Sequence, residues 1–123
     1  METKLWHGSY APGVKKTLEY EKRTIPEALT RIAKIFPGHT ALNYTGKKIT
    51  FKQLDAMVNQ CARALLDLDV RPGDKVAVCL PNIPQVIVAN MAILRIGAVT
   101  VQNNPLYTER ELAYQLNDSD SKH

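Results

Sequence analysis

PGDKVAVCLPNIPQVIVANMAILRIGAVTVQNNPLYT, residues 72–108, decides how this chain folds. Between residues 76 and 108 the only charged side chain is Arg95. A β-rich run over 75–80 leads into a helix-length apolar segment over 83–96, and a second β-rich run follows over 98–102. Strands buried on both faces read as continuous apolar runs. Two of them joined by an apolar helix make a βαβ unit of a parallel sheet. The helix has no continuous polar face, because Val86, Val88, Ala89, Met91, Ala92 and Ile93 surround it. Such a helix is buried on several sides. So much uncharged surface calls for more covering protein than 123 residues supply.

Working outward, helix starts share one chemistry. Thr24 precedes Glu27 by three residues, Thr50 precedes Gln53, Asn82 precedes Gln85 and Thr108 precedes Glu111. In each pair the cap oxygen and the later side chain can satisfy each other's orphan backbone amides. Pro26 and Pro84 fall in first turns, where a missing N–H costs nothing. The spacing predicts helices over about 25–36, 51–68, 83–96 and 109–117. Phe36-Pro37-Gly38 stops the first, and a hairpin follows: 40–44, a Thr45-Gly46 turn, then 48–50. The second helix puts Leu54, Met57, Val58, Cys61, Leu65 and Leu68 on one face and Asp55, Asn59, Gln60, Arg63 and Asp67 on the other. Gly97 suits the end of the third. The fold class is therefore α/β: part of a larger layered sheet-and-helix domain with a parallel βαβ unit, preceded by a helix and a short β-hairpin. Residues 1–23 read as an N-terminal extension with Trp6, Tyr10 and Tyr20 as docking points. Residues 24–123 read as an incomplete α/β subdomain with a polar tail over 117–123.

The net charge of +4 is unevenly spread. Residues 1–52 hold ten Lys/Arg against four Glu, and residues 53–123 hold six against eight acids. The basic residues are scattered, without the dense block or aromatic interleaving of a single-strand binder, so a solvated basic face is expected and a nucleic-acid partner is not. No apolar leader with a cleavage site opens the chain. Pro81, Asn82, Pro84, Gln85 and Asn90 interrupt the uncharged stretch, which therefore does not read as a transmembrane segment. Cys61 and Cys79 match no zinc or redox spacing and are expected to be buried free thiols of a cytoplasmic protein.

Chemistry is sparse. The six glycines, at 8, 13, 38, 46, 73 and 97, form neither a GxGxxG turn nor a GxxxxGK[ST] loop. The three serines, Ser9, Ser119 and Ser121, offer no GxSxG elbow. His7, His39 and His123 fall in loop or tail patterns and read as exposed structural histidines. Asp67 and Asp69 sit beside the Arg71-Pro72-Gly73 turn and read as capping or solvated carboxylates. Ligands of open parallel sheets gather beyond the carboxyl ends of the strands, here Leu80-Pro81-Asn82 and Gln102-Asn103-Asn104. Amides there either orient a substrate or cap helices. No residue is assigned a catalytic, cofactor-binding or metal-ligating role.

The run GDKVAVCLPNIPQVIVANMAILRIGAVTVQNNPLYTERELAYQLNDSDSK resembles the N-terminal part of AMP-forming acyl-CoA synthetases, and most nearly the long-chain fatty acid–CoA ligases. ALNYTGKKITFKQLDAMVNQCARAL has the same character, and LWHGSYAPGV is similar to leaders of the fatty-acid branch. The resemblance implies a full-length enzyme that uses ATP, Mg²⁺ and CoA. A fatty acid carboxylate attacks ATP to give an acyl-adenylate and pyrophosphate, and the CoA thiol then displaces AMP. It also implies that the phosphate loop, the nucleotide contacts and the catalytic lysine belong to sequence beyond these residues. The expectation is a fragment, inactive alone and binding no cofactor, whose partner is the remainder of the ligase. Residues 119–123 would then lead into a further core strand. Two alternatives stand beside it. One is a self-associating interaction module that exposes the apolar third helix; the other, weaker, is a small dinucleotide-binding protein.

Overall fold

The computed structural model describes residues 4–123. In chain order a 3₁₀ turn (Leu5–Ser9) precedes α1 (Ile25–Ile35), β1 (Thr40–Tyr44), β2 (Lys47–Thr50), α2 (Phe51–Asp67), β3 (Lys75–Val78), α3 (Pro84–Arg95), β4 (Val99–Gln102) and α4 (Glu109–Ser119). Three of the four expected caps are in place. The Thr24 amide donates to Glu27 Oε2 at 2.7 Å, and the Glu27 amide returns to Thr24 Oγ1 at 3.3 Å. Thr50 with Gln53, and Thr108 with Glu111, repeat the exchange.

The fourth cap differs. α3 starts from Ile83, whose side chain caps nothing, and Asn82 lies one residue too far out. The residue before a proline is held extended, and with Pro84 as the first helical residue that position is Ile83, at φ −121° and ψ 162°. Burial holds α3 instead. Along the helix only Gln85 is exposed, because α1, α2, β3 and β4 all pack against it. Two clusters meet on it: Leu29, Ile49, Leu54, Val58 and Ala62 with Val88 and Ala92, and Val70, Val76, Val78 and Ala98 with Ile93. The third helix is thus covered within this chain, which removes the exposed helix on which the interaction-module alternative rested.

β1 and β2 pair antiparallel across Thr45 and Gly46, both at positive φ (48° and 84°), the backbone of a tight two-residue hairpin. β3 and β4 pair parallel, Lys75 opposite Val99 and Val78 opposite Gln102. Both strands are shorter than the apolar runs that announced them. The last rung is Asn103 N–H to Val78 O at 2.9 Å, after which Asn104 and Pro105 turn the chain away. Between α3 and β4, Gly97 has φ +81°, and its carbonyl accepts from the Gly73 amide at 2.9 Å. A Cβ there would lie 3.4 Å from Pro72 Cβ.

Two terminal expectations change. α4 runs on to Ser119, and beyond it Lys122 N–H donates to Lys75 O and Ala77 N–H to His123 O. Alternate residues of a strand point their backbone groups to opposite edges, so residues 122–123 lie along β3 on the side away from β4. At the other end Trp6, Tyr10 and Tyr20 are exposed. Only His7 is buried among residues 4–24.

Candidate functional site

The carboxyl ends of β3 and β4 bring together two of the segments the sequence singles out. Asn103 is buried there, its Nδ2 donating to Val101 O at 2.9 Å. Its Oδ1, sealed from solvent, meets no donor among the described residues, a cost of about 1–3 kcal/mol. Asn104 Oδ1 accepts from the Leu106 amide at 3.0 Å, and Asn104 O from the Tyr107 amide at 3.0 Å. This amide therefore builds the turn toward α4. Behind the sheet end, Thr100 Oγ1 donates to Asn90 Oδ1 at 2.8 Å, and Gln102 Nε2 donates to both Asn90 Oδ1 and Thr100 Oγ1. Asn82 stands apart from this group. With Leu42, Asn43, Tyr44, Pro84 and Ile87 it lines a mainly apolar cleft of about 280 Å³ between β1 and the start of α3.

A larger groove, of about 910 Å³, runs between α1 and the last turn of α3. Its floor is Arg95, the one charge of the apolar run. Nη2 donates to Asp55 Oδ1 at 2.8 Å and Thr30 Oγ1 at 3.0 Å, and Nη1 donates to Asn59 Oδ1 at 2.7 Å. The carbonyls of Asp55 and Pro26 lie at 3.4 and 3.5 Å. The side chains of Arg95 and Asp55 are 16% and 21% exposed. A charge so placed needs a partner and filled donor positions. Arg95 has both, and ties α3 to α1 and α2. Sequence reasoning gave it no role, although a lone charge in an otherwise uncharged run signals a buried partner.

The remaining candidates separate. Cys79 is exposed rather than buried, because β3 ends before it, and its Sγ lies 3.9 Å from Asn104 O. Cys61 is half-buried, and burial pushes its thiol pKa up. His7 is buried, contrary to expectation: the rings of Trp6 and Tyr10 flank it, and its Nδ1 accepts from the Lys4 amide at 3.2 Å. His39 is exposed against Phe36. His123 Nε2 lies 3.7 Å from Asp74 Oδ2. Asp67 pairs with Arg63 and Asp69 with Arg71, both carboxylates largely in solvent, and Asp69, at φ 66°, closes the end of α2, where its amide donates to Leu66 O and that of Val70 to Leu65 O. Among the described residues no group of three His, Cys, Asp or Glu could hold a metal. The glycines at positive φ sit in separate turns. These clefts can position and exclude; the hydroxyl–carboxylate pairs of the larger one, Thr24 with Glu27 and Thr30 with Asp55, serve a helix cap and the Arg95 cluster.

Comparison with known proteins gives a consistent result. The family model described as AMP-binding enzyme matches residues 29–123. The chain is 39% identical over 116 residues to the long-chain-fatty-acid–CoA ligase of Bacillus subtilis, covering 94% of this chain and 21% of that protein. It is 35% identical over 101 residues to the oxalate–CoA ligase of Arabidopsis thaliana, covering 80% of this chain and 20% of that protein. The chain thus spans about a fifth of the length of these relatives. Among solved structures, the N-terminal subdomain of NpsA from Klebsiella oxytoca superposes with a TM-score of 0.76 at 28% identity, over 79% of this chain and 26% of that one. The O-succinylbenzoate coenzyme A synthetase of Bacillus subtilis, in complex with AMP, gives 0.72 at 32% identity, over 76% and 24%.

Proposed function

We infer, since the chain belongs to the AMP-binding enzyme family over residues 29–123, that it supplies the N-terminal α/β layer of a fatty acid–CoA ligase. In such a ligase ATP and a long-chain fatty acid give an acyl-adenylate, which CoA converts to the thioester. The observation that carries this reading is the 39% identity to a long-chain-fatty-acid–CoA ligase along 94% of the chain. In this reading residues 24–123 are the layer and the described residues 4–23 an extension of it. No chemical step is assigned to the described residues. Their part is architectural: α3 is packed between α2 and the β3–β4 pair, and Arg95 fixes the helices around it. We place the protein in the cytoplasm. No described helix is long and apolar enough to cross a membrane.

Two measurements test the reading. Incubated with ATP, palmitate, CoA and Mg²⁺, the 123-residue chain should release no AMP above background; turnover comparable to an intact ligase would overturn its incompetence. Exchanged for the matching segment of the Bacillus subtilis ligase, the chain should support palmitoyl-CoA formation. A chimera that folds, melts cooperatively and makes no acyl-adenylate would remove the ligase assignment.

A further inference from the structure

We propose that residues 4–23 form an interfacial anchor for an anionic lipid surface. Leu5, Trp6, Tyr10, Val14, Leu18 and Tyr20 are 99, 59, 40, 53, 62 and 80% exposed, within a segment whose only buried residue is His7. An isolated exposed apolar residue is ordinary, but a contiguous patch marks a contact surface. Here the patch is contiguous: Tyr10, Val14, Leu18 and Tyr20 line one surface hollow of about 510 Å³ together with Lys15 and Lys16.

The mixture of residues selects the partner. Trp and Tyr carry an apolar body and a polar tip, and they settle where hydrocarbon meets water. Lysines beside them are drawn to anionic headgroups while their alkyl stems lie along the apolar layer. The segment holds Lys4, Lys15, Lys16, Lys22 and Arg23 against Glu19 and Glu21, a net charge of 5 − 2 = +3. Glu21 is engaged by Arg23 at 2.9 Å and faces Arg31 at 3.9 Å. The lysines of the hollow sit two and three positions before Leu18, on the surface that bears the rings. Insertion of the apolar side chains and attraction of the ammonium groups then act on the same plane.

Trp6 is the only tryptophan of the chain, so its emission reports the segment directly. The 123-residue chain is mixed with phosphatidylcholine vesicles, with or without about 30% phosphatidylglycerol, and followed by Trp emission and by co-sedimentation. The expected result is a blue shift and co-sedimentation with the anionic vesicles only. Both should fade as salt rises from about 0.1 M to about 1 M, where the Debye length falls from about 10 to about 3 Å. Replacing Lys15→Gln and Lys16→Gln together should weaken partitioning about thirtyfold, equivalent to about 1 kcal/mol per lysine. Trp6→Ala, scored by sedimentation alone, should weaken it as well. Three outcomes overturn the proposal: no binding to either vesicle, equal binding to neutral vesicles, or a blue shift that grows with protein concentration without lipid. The last would make a second copy of the chain the occupant of the patch.

Discussion

α3 and α4 are helices of similar length with opposite origins. α4 has a complete capping box and two acids in its first turn, yet buries no residue fully. α3 has no side-chain cap and no acid in its first turn, yet buries Val88, Ala92 and Ile93 and joins both core clusters. Capping decides where a helix begins; apolar contact decides whether the fold depends on it. The same contrast separates the 4–23 segment, rich in apolar side chains that find no core, from the body that follows.

Core truncation should separate the two helices most sharply. Ile93→Ala should cost about 4 kcal/mol by cavity formation, whereas Leu116→Ala, on a half-buried site of α4, should cost about 1 kcal/mol or less. Urea unfolding of the two variants checks this, and equal losses would erase the distinction. Next in size, Arg95→Met should cost about 3 kcal/mol, because Asp55 keeps a charge with no guanidinium beside it. Adding Asp55→Leu should return most of that loss. A double variant as unstable as the single one would mean that apolar packing, rather than the ion pair, fastens α1 to α3.

The smallest effects concern the caps. Thr108→Ala and Thr50→Ala should each cost about 1 kcal/mol, and Asn82→Ala almost nothing. Acid should act through the same boxes. Hydrogen bonds from the Thr24 and Thr108 amides, then from their hydroxyls, hold the Glu27 and Glu111 carboxyls below the usual range. The folded state therefore binds these protons less readily than the unfolded chain. The stabilisation is complete above the unfolded value near pH 4.3 and is lost as pH falls through the lower folded values. Glu27→Gln with Glu111→Gln should flatten that part of the stability–pH curve while leaving the neutral-pH helix content in place.

Features written into adjacent residues were legible in the sequence: the three Thr caps, the Thr45-Gly46 hairpin and the βαβ order all lie within a few positions of their signals. What escaped depends on where distant segments land. Asn82 satisfies the capping pattern, but Pro84 shifts the helix start beyond its reach. Cys79 belongs to an apolar run, yet the rung at Asn103 ends the ladder before it. His7 sits in a loop pattern and is covered by its own neighbours. Arg95 was visible as an anomaly, but its partners Thr30, Asp55 and Asn59 lie 36 to 65 residues away, and no local pattern names them.

The backbone bonds from Lys122 and His123 to the free flank of β3 bear on how the chain is made. β3 leaves the ribosome before β4 and before residues 122–123, and ends with β4 on one edge and those two residues on the other. Roughly 40 residues separate Val78 from Lys122. At about 5–20 residues per second, that flank waits about 2–8 s for its cover during synthesis. Throughout that interval nascent chains on one message can stick to each other there, so slower translation over this interval should lower the soluble yield.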